Sequence, residues 1–213
     1  FSPSGRLLLS ASNDSTVRVW EIATGKLLRT INHHQDLVYM ADFSQDEKRI
    51  VSASADEKMI ITEMATGNKL AEKEMGGLVL QSRFSKNDQY LLTMIHPGKA
   101  RLFDGTASRL LLQVEDAQNT NMTAVISPDS KYLFTSSGSG LKSWDIKTGK
   151  MVREMVDESV LPGAKAIHLI VPAADNSIVA TASQDSMIRI WDIRSGKILH
   201  QFREHHYGVS GMY

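Results

Sequence analysis

The chain has 213 residues, 42% of them hydrophobic and 23% charged, with Lys plus Arg and Asp plus Glu balanced at 24 each. That length suffices for one large domain with its own core, and the neutral balance argues against a generic binder of nucleic acid or membrane surfaces. With no cysteine, a disulfide framework, a thiolate metal site and a cysteine nucleophile are excluded, and no apolar run approaches the roughly 20 residues of a membrane-spanning helix.

From the start of the chain, "FSPSG" at 1–5 reads as a turn, "LLLSAS" at 7–12 as a strand, and "SNDSTVRVW" at 12–20 as a turn leading into a second strand that ends at Trp20. A turn at Gly25 follows, and the pattern then starts again. The second unit runs through "HHQDLVYMADFS" at 33–44, "FSQDE" at 43–47, "RIVSASA" at 49–55, Thr62 and Gly67. A third takes "FSKND" at 84–88, "YLLTMI" at 90–95, Phe103 and a turn at Ser108. In the fourth, "ISPDS" at 126–130 and "YLFTSSG" at 132–138 lead to Trp144 and Gly149. The fifth has "VPAAD" at 171–175, "IVATAS" at 178–183, Trp191 and Gly196.

Setting Trp20, Thr62, Phe103, Trp144 and Trp191 in one column gives spacings of 42, 41, 41 and 47. Each unit reads as four short strands joined by tight turns. Apolar and polar residues alternate in "TVRVW" and "MIRIW", which is the period of a half-buried strand. The turns carry Gly, Asp, Asn, Ser and Pro, which supply a positive or a fixed φ. No segment holds a 3.6-residue apolar period for three turns, and β-branched residues crowd the central strands, so helix is a poor reading.

A period near 42 with four strands per unit is the signature of a β-propeller. Along its whole length the chain resembles the WD-repeat (tryptophan-aspartate repeat) family, through "VRVWEIATGK", "SWDIKTGK" and "IRIWDIRSGK", through "SNDSTVRVW" and "SQDSMIRIW", and through "HHQDLVYMADFS". The resemblance implies an all-β fold of four-stranded antiparallel blades, about five of them, in a single domain over 1–213. The chain ends fall inside strands, which suggests either a closed five-blade ring completed by 208–213 or part of a larger, seven-blade-like propeller. The larger propeller is favoured, because exposed strand edges are aggregation-prone.

The resemblance also implies a structural hydrogen-bond network of a histidine, a Ser or Thr on the second strand, an Asp in the next turn and the tryptophan on the third strand. On matching positions the Asp column is Asp14, Asp56 and Asp185, the tryptophans are Trp20, Trp144 and Trp191, and the histidines are His34 and His205. The hydroxyl is Ser10 or Ser12, Ser52 or Ser54, and Thr181 or Ser183. The pattern departs at Thr62 and Phe103, at Met75, Ala117 and Pro162 in place of histidine, and at Pro97 and Gly138 in place of Asp. The third and fourth units are therefore expected to rest mainly on apolar packing, and the Trp144 indole to find an acceptor other than an Asp.

No catalytic constellation stands out. The Ser and Asp of "SNDS", "SADE" and "SQDS" recur with the repeat, as a structural turn does and a single catalytic site does not. His33–His34 and His205–His206 sit at one repeat phase, so repeat architecture explains them better than a metal site. His168, in a predicted inner strand, reads as a core or channel histidine. The ten methionines read as core filler. The expectation is a non-catalytic scaffold with no cofactor and no metal, binding other proteins or peptides and no specific nucleic acid, without membrane insertion, as an intracellular subunit of a multi-protein complex. The alternatives are a structural subunit of a large ciliary, ribosome-assembly or ubiquitin-ligase type of assembly, and an enzyme with its site in the propeller channel. By resemblance, partners dock on the face bearing the blade-entry loops and the turns before the tryptophan strand, which places Asn13, Tyr39, Ala55, Gln81, His96, Thr123 and Gln184 on that face.

Overall fold

The computed structural model describes residues 1–116, 122–138, 140–157, 166–203, 205, 209 and 211. All regular structure among them is β. The first sheet has three strands, β1 (Leu7–Ala11), β2 (Val17–Glu21) and β3 (Leu27–Ile31). Each of the other four has four strands in simple antiparallel order. They are β4 (Val38–Phe43), β5 (Arg49–Ser54), β6 (Lys58–Glu63) and β7 (Lys69–Glu74), then β8 (Leu78–Phe84), β9 (Tyr90–His96), β10 (Lys99–Asp104) and β11 (Leu110–Glu115). The fourth sheet holds β12 (Ala124–Ile126), β13 (Tyr132–Ser137), β14 (Gly140–Asp145) and β15 (Met151–Met155), and the fifth β16 (Ile167–Pro172), β17 (Ile178–Ser183), β18 (Ile188–Asp192) and β19 (Ile198–Phe202). These are the blades that the repeat predicts, in phase with the tryptophan column.

The turn residues explain the recurring letters. In "FS", and in the equivalent "IS" at 126–127, the serine after the inner strand is buried, and its hydroxyl accepts the backbone N–H five residues on. Ser44 Oγ takes Arg49 N at 2.9 Å, Ser85 Oγ takes Tyr90 N at 3.0 Å and Ser127 Oγ takes Tyr132 N at 2.9 Å. The same turn turns left-handed at Glu47, Asp88, Ser130 and Asn176, with φ between 57° and 59°. The hairpin after the tryptophan column closes on glycine, at Gly25, Gly67, Gly149 and Gly196 with φ of 69°, 80°, 69° and 75°, where only glycine adopts αL without cost. The third hairpin departs from the expected turn at Ser108. Its left-handed residue is Ala107, with φ 58°, and the Asp104 carboxylate holds the turn by accepting the N–H of Thr106 at 3.1 Å and of Ser108 at 2.9 Å.

The chain forms two compact units, Phe1–His96 with Arg101–Gln113, and Pro97–Ala100 with Val114–Tyr213. Within the first, Val17, Val19 and Ile31 pack against Val38, Phe43 and Ile50, and Val51, Met59 and Ile61 pack against Val79, Leu91 and Phe103. Within the second, Phe134, Leu141 and Met155 pack against Ile167, Val179 and Trp191. Side chains from one strand face thus interlock with the next sheet of the same unit, which is where most hydrophobic stabilisation arises.

Candidate interaction face and the polar network behind it

The three indoles find the same kind of partner. Trp20 Nε1 donates to Ser10 Oγ at 2.8 Å, Trp144 Nε1 to Thr135 Oγ1 at 3.0 Å and Trp191 Nε1 to Thr181 Oγ1 at 2.8 Å. Strand register dictates this. Trp20, Trp144 and Trp191 pair with Leu8, Leu133 and Val179, so the residue two further along the partner strand lies diagonally on the same face. The register selects Ser10 over Ser12 and Thr181 over Ser183. Trp144 does find an acceptor other than an Asp, but so does Trp191, and the contrast expected between them on account of Asp185 and Gly138 does not arise.

The second blade, which lacks the tryptophan, holds the fullest histidine network. His34 is 5% exposed. Its Nδ1 lies 2.9 Å from Asp56 Oδ2 and its Nε2 lies 2.7 Å from Ser52 Oγ. Asp56 also accepts the N–H of Gln35 at 3.0 Å and of Lys58 at 3.1 Å. Burial pushes the His34 pKa down against the opposing pull of Asp56. Burial would push Asp56 up, but the Gln35 N–H and His34 hold it below its ordinary value. The pair is therefore a neutral imidazole donating from Nδ1 to a carboxylate and accepting the Ser52 hydroxyl at Nε2. Ser, His and Asp stand in the order of a hydrolytic triad, yet Ser52 is 2% exposed, so no substrate carbonyl reaches it, and its strand position marks a structural role.

The fifth blade solves the same problem differently, and sequence reasoning missed it. Pro162, at the expected histidine position, lies outside the described residues, as does Ala117. Arg189, two residues before Trp191, is 2% exposed as a side chain, and its Nε donates to Asp157 Oδ2 at 2.7 Å and its Nη2 to Asp185 Oδ2 at 2.9 Å. Arg189 Nη1 donates to Ser183 Oγ at 2.8 Å, and Gln201 Nε2 to Asp157 Oδ2 at 3.1 Å. Burial opposes ionisation of Asp185, but Arg189, the Ser183 hydroxyl and the Met187 N–H together hold its pKa below the ordinary value. In the first blade the related pair, Arg18 with Asp14 at 2.8 Å, is exposed, and hydrogen bonds led by the Thr16 hydroxyl hold Asp14 at about 2. The signal was a basic residue two places before the tryptophan column, at Arg18, Arg101, Lys142 and Arg189, alternating with mostly aliphatic neighbours on the predicted third strand.

In the third blade Ser82 Oγ donates to Thr93 Oγ1 at 3.2 Å beneath an otherwise apolar interior. In the fourth, the Thr123 N–H meets Ser136 Oγ at 2.9 Å. His205 is exposed.

The residues assigned to the interaction face fall in the blade-entry segments and the turns between the second and third strands of each blade. Asn13, Tyr39, Gln81 and Gln184 are exposed, and Ala55, His96 and Thr123 are half-buried. The inner strands carry a β-bulge near their start, between Val38 and Met40, between Val79 and Gln81, and between Ile167 and Leu169. A bulge leaves one residue unpaired and redirects its side chain. That residue is Tyr39 in the second blade, Leu80 in the third and His168 in the fifth. Leu80, 38% exposed, is thus the counterpart of Tyr39, which is 44% exposed, and Gln81 sits one place further on. His168 has its Nε2 against the Val209 carbonyl, while its buried Nδ1 has no partner. No group of three or more His, Asp or Glu among the described residues is arranged to hold a metal ion, and no helix of the described residues is long and apolar enough to cross a membrane.

Comparison with known proteins agrees with this architecture. The family described as WD40, "WD domain, G-beta repeat", matches residues 1–21, 25–61 and 159–192. The chain is 23% identical over 201 residues to the U3 small nucleolar RNA-associated protein 15 homolog of Xenopus laevis, covering 93% of this chain and 38% of that protein. It is 24% identical over 217 residues to eukaryotic translation initiation factor 3 subunit I of Bombyx mori, covering 95% and 64%. It is 33% identical over 153 residues to apoptotic protease-activating factor 1 of Rattus norvegicus, covering 67% and 12%. The chain spans less than two thirds of the length of each of these relatives.

Proposed function

We propose that this chain, which belongs to the WD-repeat family, is a non-catalytic interaction scaffold that docks other proteins or peptides on the face bearing the blade-entry loops. One observation carries the reading. The polar side chains most suggestive of chemistry, Ser52, His34, Asp56, Arg189 and Asp185, are spent on holding blades together, whereas the bulge residue Tyr39 and the turn residues Asn13 and Gln184 stand exposed at corresponding places. Rigid sheets with exposed loop residues suit recognition, because little side-chain or backbone ordering is required when a partner binds. Action inside the cell as a subunit of a larger assembly is part of the proposal. It is supported by the relative whose name makes it a subunit of translation initiation factor 3. Tyr39→Ala and Gln184→Ala are surface changes, so folding should be retained, and capture of co-purifying proteins in quantitative pull-downs should fall. Unchanged capture by both variants would refute the choice of face, and native mass spectrometry that finds the chain alone in its source would refute the assembly role.

A further inference from the structure

The two ends of the strands in the first unit differ in charge. On the blade-entry side, the segments 12–16, 32–37, 55–57 and 75–77 contain Asp14, Asp36, Asp56 and Glu57 and no Lys or Arg. The turns at the opposite ends, 2–6, 22–26, 44–48, 64–68, 85–89 and 105–109, set Arg6, Lys26, Lys48, Lys86 and Arg109 against Asp46, Glu47 and Asp88. Two of the entry-side acids are engaged, Asp14 with Arg18 and Asp56 with His34. Lys58, the next residue along, is held by Glu72 and Glu74. Asp36 and Glu57 are exposed and have no ion pair among the described residues.

Hydrogen bonds join the second and third blades on this side into one rim. Ala55 N donates to the Leu37 carbonyl at 2.9 Å, Gln35 N to Asp56 Oδ2 at 3.0 Å and Met75 N to the Glu57 carbonyl at 2.8 Å. The turn that bears Glu57 thus lies between the two entry loops. Those loops are unequal, since 32–37 leads into β4 but only 75–77 into β8. Gly76 and Gly77 add no side chain there. Gly76 has a φ of 66°, and a Cβ on Gly77 would meet the His96 carbonyl at 2.4 Å, so the backbone keeps the short loop glycine. The strand that follows begins with Leu78, 36% exposed, and Leu80, 38% exposed, on either side of the buried Val79. Tyr39, 44% exposed, is the bulge residue of the adjacent inner strand β4. Three large apolar side chains therefore stay uncovered beside a rim whose unpaired charge is negative.

We propose that this part of the entry face binds an extended segment of a partner protein in which a large apolar side chain is flanked by Lys or Arg. The inference rests on the entry face being the docking face, and it names the chemistry of what docks there. The apolar side chain covers Tyr39, Leu78 and Leu80 and takes them out of water. The flanking cations meet Asp36 and Glu57, and an acidic segment is rejected by the same two charges.

Panning a random-peptide phage library on the immobilised 213-residue chain tests this. Recovered peptides should be enriched in Lys and Arg next to Leu, Ile, Phe or Trp and depleted in Asp and Glu. A recovered peptide, synthesised with a fluorescein label, should bind in anisotropy titrations and weaken between about 0.05 M and about 0.5 M salt. It should lose about tenfold in affinity for the chain carrying Asp36→Lys with Glu57→Lys, and a similar factor for Leu80→Ser. Asp36 also caps the Leu37 N–H at 2.7 Å, so Glu57→Lys alone serves if the double variant fails to fold by circular dichroism. Recovery of no peptide above the unselected library, enrichment of acidic peptides, or binding that charge reversal and salt leave intact would each overturn the proposal. Peptides that ignore charge reversal but are released by Tyr39→Ala would leave the docking face standing and remove only its preference for cations; peptides indifferent to both would remove the face as well.

Discussion

Replacing Arg189 by Met should be the most damaging single change in the second unit that leaves no large cavity. The guanidinium is 2% exposed and lies between Asp157, 4% exposed, and Asp185, 22% exposed as side chains. Methionine fills a similar volume but takes the guanidinium away from the Asp157 carboxylate, which Gln201 Nε2 also meets at 3.1 Å. Breaking a buried pair on one side costs about 3–5 kcal/mol, and the surviving Gln201 bond places the expected loss near the lower end. Asp157→Asn should cost less, about 1–2 kcal/mol, because the amide oxygen still accepts from Arg189 Nε and Asp185 still neutralises the charge. Arg189→Met combined with Asp157→Leu removes both charges and should recover to within about 1 kcal/mol of the wild type. Urea titration gives the ordering from midpoints at constant m, and amide exchange in β17 and β18 localises it. An Arg189→Met loss below about 1 kcal/mol, or a double variant as unstable as the sum of its parts, would refute the assignment of a buried, mutually dependent triad.

Thr181→Val leaves the indole N–H of Trp191, 0% exposed, without its acceptor, and should cost about 1–3 kcal/mol. Ser10→Ala should cost less than about 1 kcal/mol, since water reaches the half-buried Trp20; equal losses in urea titrations would contradict the burial argument. Acidification should weaken the second blade. His34 is held below its ordinary value of 6.5 by burial and Asp56 below 3.8. Both folded-state values are thus depressed, so the unfolded chain binds more protons. The His34 contribution is present in full above about pH 6.5 and is lost as pH falls toward its folded value, and that of Asp56 follows at lower pH. The melting temperature should drop from about pH 7 to about pH 5, and His34→Gln should flatten that stretch of the curve; an unchanged slope in the variant would exclude His34 as the cause.

The fold was legible because its period is long, repeated and carried by residues with local jobs. The strand pattern around Trp20, Trp144 and Trp191 and the glycines that follow need no tertiary knowledge to be read. The hydroxyl acceptors were narrowed to pairs, but choosing within each pair required the strand register, which sequence spacing alone leaves open. The Arg189 triad escaped notice because Asp157 lies 32 residues before Arg189 in sequence, although Asp185 is only four residues away, and the histidine template directed attention to residue 162. Leu80 was passed over for Gln81 although it stands 41 residues after Tyr39, the interval that also separates Phe43 from Phe84 and Thr62 from Phe103, so this counterpart lay in the spacing itself. Of the proposed face, exposure at Tyr39 and Gln184 followed from their place in the repeat, whereas the half-burial of Ala55, His96 and Thr123 depends on neighbours that lie far away in sequence.

The repeat also sets conditions between blades that no single unit reveals. The left-handed residue of one blade's first turn caps the corresponding turn of the blade before it. Asp88 accepts Gln45 N at 2.8 Å and Asp46 N at 3.0 Å, and Glu47 accepts Ser4 N at 2.6 Å. Asn176 holds the same place in the fifth blade, but its buried Oδ1 has no partner; the proline of the turn before it, Pro128, is not the cause, since Pro3 stands at the same place in the turn whose Ser4 N donates to Glu47. One substitution should therefore act with different signs at two equivalent positions. Asp88→Gly removes two caps on backbone N–H groups and should cost about 1–2 kcal/mol. Asn176→Gly removes an unsatisfied acceptor and relieves a left-handed φ of 58°, against about 0.5–1 kcal/mol of added chain entropy in the unfolded state, and should be neutral or mildly stabilising. Equal destabilisation of the two variants in urea titration would mean that the turn-to-turn cap contributes nothing, and that the acid at residue 88 serves only its own turn.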